Sequence, residues 1–290
     1  MSHPETWNPL TDWKHADIDW VRVDISKEDL RRFAQRSNVK GLCHAIGFLL
    51  LLAATGTWAY WSFANKHWIQ MVIALYIHGI IYGHFGDALH ELGHNTVFSS
   101  RWLSTFFTTL YGLLYWPWNP HLYRISHMDY HHRYTLHQGS DGEDTPNYVK
   151  ITPWFLFVQI FSVFQVKSLL MNLYRLFTLR PTSIHWRGRT FELDTWEQFI
   201  FQKASRKDHK LVKKFTYYAL ISQILFVGLC IYFKLWFLPA LITLAPFYKA
   251  GIHAFISTTH QHSCCEANHA DFRISCGDAI LDPFSSFIYW

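Results

Sequence analysis

Three histidine-rich patches are the residues of this chain best suited to chemistry: His90-Glu91-Leu92-Gly93-His94, His127-Met128-Asp129-Tyr130-His131-His132 and His260-Gln261-His262. Neutral imidazole is the commonest metal ligand in proteins. On a helix, residues four apart share a face. His90 and His94 are therefore expected to point the same way, as are His127 and His131. His132 lies about 100° around from His131, close enough to join one cluster. Asp87 falls on the face of His90, Glu91 and His94. A carboxylate there could orient a ligand imidazole through its second ring nitrogen, or serve as a cap or ion-pair partner.

His90-Glu91-x-x-His94 also matches the zinc-protease string, in which the Glu is general base. An intramembrane zinc metalloprotease is thus an alternative. One zinc needs only one further protein ligand, however, which leaves His127, His131, His132 and His262 unexplained. Two metals use them all. Many imidazoles with few carboxylates suit iron among the redox metals, and iron brings oxygen chemistry. Spacing alone does not select the metal. Single histidines such as His44, His67 and His78 read as interfacial residues facing lipid headgroups. A haem held between His44 and His78 has no further support.

The elements that must position these patches are membrane helices. Half of the residues are hydrophobic and only 16% are charged, against roughly 25% in soluble domains. Residues 42–63 and 68–86 hold no Asp, Glu, Lys or Arg, and residues 215–256 hold only Lys234 and Lys249. A helix crossing bilayer hydrocarbon needs about 20 apolar residues. The pattern predicts an all-α integral membrane protein with four transmembrane helices at about 42–63, 67–88, 215–233 and 235–256. The last two are joined by a tight turn at Lys234-Leu235-Trp236. A buried helix in a soluble core would show a polar stripe, and Phe48-Leu49-Leu50-Leu51-Leu52-Ala53-Ala54 shows none.

The domain reading is an N-terminal cytosolic arm, 1–40, followed by one membrane domain, 41–290. The latter has a cytosolic helical cap at 89–214 and a C-terminal cytosolic segment at 257–290. In the arm, Ser26 is placed to cap a helix, with Asp29 three residues on. Residues 101–118 and 152–177 are aromatic and apolar enough for interfacial helices. Residues 178–214 predict a cytosolic helix pair. No signal peptide precedes the first span. Lys27, Arg31, Arg32, Arg36 and Lys40 lead into that span, and the segment after the second is rich in Lys and Arg. The positive-inside rule puts both termini, the middle segment and all three histidine patches on the cytoplasmic side. The net charge of +5 follows from that asymmetry, and no stripe suited to nucleic acid is present. The five scattered cysteines (Cys43, Cys230, Cys264, Cys265 and Cys276) suit a reducing compartment.

With these residues in place, the chain resembles the membrane fatty-acid desaturases and related hydroxylases, which carry three histidine boxes around a di-iron centre. His90 to His94, with Asn95-Thr96-Val97-Phe98 following, resembles the first box. His127 to His132, with Trp118 to Pro120 and Tyr123-Arg124 leading in, resembles the second. Gly139 to Asp144 resembles the acidic patch after it. Gln261-His262, Asp271-Phe272-Arg273 and Phe287 to Trp290 resemble the stretch before the third box. The resemblance implies metal ligands His90, His94, His127, His131, His132 and His262, with Asp87, Glu91 and His260 beside them. It implies two non-haem iron ions, O2 and an acyl or other lipid substrate. It also implies a separate ferredoxin-, rubredoxin- or cytochrome-type electron donor, for which Arg187, Arg189, Arg206, Lys207, Lys213 and Lys214 are docking candidates. Those basic residues could equally face anionic lipid. The family's third box is expected just beyond Trp290, so the chain reads as a fragment truncated before it. The reaction implied is desaturation, with hydroxylation or ketone formation as the alternative on the same scaffold.

Overall fold

The computed structural model describes residues 14–137, 139–142, 152–154, 157, 184–186, 189–191, 195–248, 265–276 and 280–289. The described chain is helical apart from one short antiparallel hairpin of Ile184–Trp186 with Arg189–Phe191, in which His185 pairs with Thr190. Over 178–214, where a helix pair was expected, that hairpin comes first and is followed by a helix Thr195–Lys203 and the start of the helix Arg206–Tyr232. His260, His262, most of 152–177 and the end of the fourth predicted span lie outside the described residues.

Among the described residues, three helices are long and apolar enough to cross a membrane: Lys27–Ala64, Trp68–His94 and Arg206–Tyr232. The first comprises α1 (Lys27–Phe33) and α2 (Asn38–Ala64). Ser26 accepts from the Asp29 N–H, as the sequence predicted. The second comprises α3 (Trp68–Gly83) and α4 (Phe85–His94). α2 and α3 pack as an antiparallel hairpin turned at Asn65–His67, where Lys66 takes a left-handed φ of 60°. Their outer faces stay apolar: Leu50 is 64% exposed and Ile69 81%. Such wide apolar exposure is what a lipid-facing surface requires. On the inner side, Phe85 sets its ring edge-to-face against Phe48 and Tyr111, each with centroids 5.0 Å apart.

After α5 (Arg101–Leu114) and α6 (Pro120–Arg124), a π-helix covers Ile125–His131 and a single turn, α7, covers His132–Tyr134. The helix Thr195–Lys203 is α8, and Arg206–Tyr232 is α9, the third apolar helix. The turn after it falls at Lys234, with φ 58°.

The described part of the fourth predicted span is not one continuous helix. It forms two short segments, α10 (Leu238–Leu241) and α11 (Ala245–Tyr248). Pro246 has no N–H to give to the Ile242 carbonyl, which weakens the helix at this break. Three consecutive carbonyls are taken up by side chains instead. His78 Nε2 lies 2.9 Å from Leu241 O, Tyr82 Oη donates to Ile242 O at 3.2 Å, and Trp116 Nε1 donates to Thr243 O at 2.8 Å. Backbone freed in hydrocarbon needs such partners. His78 is thus a buried tie between helices, not a headgroup-facing residue. Its Nδ1 meets Thr55 Oγ1 at 2.8 Å, so both ring nitrogens are engaged and none is open to a haem.

Close approach fixes α11 against α3. A Cβ at Gly79 would stand 2.8 Å from both Tyr248 Cδ2 and the Tyr248 carbonyl oxygen. The start of α2 is tied to the loop after α4, because Asn38 Nδ2 donates to Ser100 Oγ at 2.7 Å and Ser100 N–H to Asn38 Oδ1 at 2.9 Å. The C-terminal end of α4 and the N-terminal end of α2 therefore share one pole of the bundle.

Candidate metal centre

α4 delivers the first pair of imidazoles to that pole. His90 and His94 sit one turn apart with their Nε2 atoms 3.2 Å apart. Asn95 ends the helix in a left-handed conformation, φ 56°, which asparagine tolerates better than most residues.

The second set arrives through α6 and the π-helix. Asn119 Oδ1 accepts from the N–H groups of His121 and Leu122, and Pro120 starts the helix. Both are favoured N-terminal choices. The Asn119 amide also donates to Val212 O at 2.9 Å and Thr216 Oγ1 at 3.0 Å, which docks α6 on α9. The chain then widens: the His132 N–H reaches back to His127 O, five residues away. His127 and His131 share a face, as helical spacing predicted, with their rings stacked 4.9 Å apart. The π-helix also brings His132 to His127, Nε2 to Nε2 at 2.9 Å.

The result is four imidazoles from two separate stretches, His90, His94, His127 and His132, whose ligand atoms lie within 4.8 Å of one another. His94 Nε2 stands 3.2 Å from His127 Nε2 and 3.3 Å from His132 Nε2. Four ligands at about 2.0–2.1 Å around one ion sit roughly 3.4 Å apart along tetrahedral edges. The Nε2 separations of 2.9, 3.2, 3.2 and 3.3 Å lie close to that edge length.

His90 Nδ1 meets Glu91 Oε1 at 3.0 Å; this acceptor holds the ring proton on Nδ1 and turns the Nε2 lone pair to the centre. His127 Nδ1 meets Tyr123 Oη at 3.3 Å, a hydroxyl that can give or take the proton, and the contact orients the ring. Four imidazole nitrogens gathered this closely can turn their lone pairs to one cation, so the donor set fits a metal. Burial, then the neighbouring imidazoles of His90, His131, His132 and His94, holds His127 far below the ordinary histidine range. It is therefore neutral and able to ligate.

His131 stands beside this group, its ring 4.9 Å from that of His127. Its Nδ1 is 2.9 Å from Asp141 Oδ2, a carboxylate with no side-chain exposure. Asp141 also accepts from the Leu136 N–H at 3.1 Å, and Leu136 holds a left-handed φ of 58°. The adjoining Gly142 leaves space for Trp196, since a Cβ there would come within 2.3 Å of the indole. The family resemblance puts Tyr123 in the lead-in to the second box and Asp141 in the acidic patch after it, but pairs neither with a particular histidine. Asp87 takes His84 Nδ1 at 2.7 Å, in place of the expected His90. That residue is served by Glu91, its immediate neighbour.

The zinc-protease reading fares poorly against this geometry. Glu91 is engaged on the outer nitrogen of His90, not over the metal position as a general base must be. Four clustered imidazoles also exceed the three protein ligands of a catalytic zinc site.

No curated protein and no solved structure matches the chain. The sequence model described as fatty acid desaturase matches residues 66–290, a stretch that holds every one of these histidines together with two of the three long apolar helices, and the chain belongs to that family.

Proposed function

We propose that the protein is a membrane-bound, non-haem di-iron oxygenase that introduces a double bond into a fatty-acyl or related lipid chain. The observation that carries this reading is the convergence of four Nε2 atoms, from α4 and from the π-helix and α7, at one end of a membrane helix.

His90, His94, His127 and His132 would hold one iron. His131 and His262, with His260 nearby, would serve the other. When bound, the irons supply O2 activation strong enough to take hydrogen from an unactivated methylene. The chain supplies geometry and dryness. Glu91, Tyr123 and Asp141 fix imidazole orientation. An apolar cavity of about 380 Å3 runs between α2, α3 and α10, lined by Leu49, Gly56, Tyr60, Phe85 and Leu241. Its size falls within the usual range for ligand pockets, and it can take an apolar tail.

The histidine pole and both termini would face the cytoplasm, as the basic residues before α2 argue. Electrons would come from a separate protein donor. Arg206, Lys207, Lys213 and Lys214 are exposed on the first turns of α9 and offer it a cationic surface. A hydroxylase on the same scaffold is the second reading, and the family relationship favours it over any protease.

The test is metal and product analysis of the intact protein in membranes. Iron in the preparation and a product lighter by two hydrogens support the proposal. A product heavier by one oxygen selects the hydroxylase. Zinc in place of iron overturns both.

A further inference from the structure

The N-terminal arm lies outside the stretch matched by the family, residues 66–290, yet it is strapped across the second histidine patch. The Lys14 N–H donates to Gly139 O at 2.7 Å, and the Val21 N–H to Ala270 O at 2.8 Å. His15 Nδ1 meets Tyr134 Oη at 3.1 Å, with its ring stacked on Tyr130. Trp20 Nε1 donates to Arg133 O at 2.9 Å, and its ring stacks on Phe272 with centroids 4.0 Å apart.

Between arm and patch the strap leaves a cleft of about 670 Å3, lined by Arg22, Val23, Ile25, Met128, His132 and Arg133 among others. One wall is therefore a metal-site histidine. The rest is an amphiphile's environment: aliphatic side chains, Met128, the rings of Trp20 and Phe272, one carboxylate and two guanidinium groups. Neither Arg22 nor Arg133 forms an ion pair among the described residues. Asp129 acts on Arg133 through space without pairing with it. Asp271, also on the wall, is engaged by Arg273 through both carboxylate oxygens, so its charge is compensated. The cleft is open to solvent, and its volume is that of a small-molecule site rather than a protein-sized interface.

We propose that this cleft receives the anionic head of the substrate, a carboxylate or phosphate, gripped between Arg22 and Arg133, with the chain passing His132 toward the metal centre. Guanidinium forks recognise such oxyanions with paired hydrogen bonds. The inference rests on the di-iron reading for its direction, and it makes the arm the element that measures where along the chain oxidation occurs.

The experiment uses the full-length, iron-loaded protein in phosphatidylcholine nanodiscs, with empty nanodiscs subtracted. The probes are hexadecanoate, hexadecyl phosphate, methyl hexadecanoate and hexadecyltrimethylammonium. The anions should bind roughly tenfold tighter than the ester, the scale of one charge-assisted hydrogen bond. Arg22→Ala and Arg133→Ala should each remove most of that advantage and leave ester binding unchanged. Arg22→Lys should keep part of it. Preference for carboxylate over phosphate identifies a free acid, and the reverse identifies a phosphate-headed lipid. Equal binding of all four probes, or alanine variants that weaken ester and anion alike, overturns the proposal. Iron per chain, measured on the same samples, separates the two ideas. Full iron without anion preference sinks the cleft alone, and anion preference without iron sinks the metal reading alone.

Discussion

His127 and His132 bring their Nε2 atoms to 2.9 Å although five residues separate them. In an α-helix, five residues turn the chain through about 500°, leaving the two side chains roughly 140° apart. The π-helix over Ile125–His131 takes up that difference. It also turns His131 aside, toward Asp141. One local widening thus sorts three histidines of a single patch between two positions, and π-bulges are common at functional sites for this kind of reason.

That sorting predicts how iron is lost. Alanine at His90, His94, His127 or His132 should each remove the same ion and leave the other in place. His131→Ala and His262→Ala should remove the second. Iron per chain in the purified variants, read by elemental analysis, distinguishes this from a site in which any substitution empties both positions.

The sequence exposes the α-helical half of the site and hides the π-helical half. His90 and His94 follow ordinary helical spacing, so their shared face was legible. His132 was expected in the cluster as well, but its direct pairing with His127 was not, because an i, i+5 contact has no meaning until the helix is known to be widened. Asp141 fell in the acidic patch the sequence showed, but its pairing with His131 was hidden: ten residues and a left-handed turn at Leu136 separate them, and no periodicity spans such a turn. The spans at α2, α3 and α9 were plain from uninterrupted apolar runs. Pro246 was visible too, but its consequence required knowing that His78, Tyr82 and Trp116 could reach the carbonyls it orphans. The strapped arm leaves no pattern at all, because its contacts are single backbone and aromatic pairings.

Asp141→Asn should weaken iron binding by about 10- to 100-fold, the usual effect of removing a carboxylate behind a metal-bound imidazole. The amide oxygen can still accept from the Leu136 N–H, so the turn should persist. Competition with a chelator measures the affinity. Unchanged iron affinity would show that Asp141 does not act through His131.

His78→Leu should cost about 1–3 kcal/mol of stability, because it leaves the Leu241 carbonyl and the Thr55 hydroxyl without this partner inside the bundle. Iron content should stay at the parental value, since His78 contacts neither histidine patch. Thermal unfolding in detergent, with iron measured in parallel, checks both halves. Loss of iron at unchanged stability would instead make His78 part of the metal site.

Gly79→Ala should destabilise the bundle by about 1–3 kcal/mol through overpacking. The added methyl would meet two Tyr248 atoms at 2.8 Å, one on the ring and one the backbone carbonyl oxygen. The ring could swing away, but the carbonyl belongs to α11 and moves only with the helix. Truncating the ring in Tyr248→Ala should therefore fail to rescue Gly79→Ala, and the double variant should melt at or below the single one. The cost is then a separation of α3 from α11, which loosens the broken helix whose carbonyls His78 and Tyr82 hold. Full rescue in the double variant would place the conflict in the ring alone and show that α11 does not depend on this contact for its position.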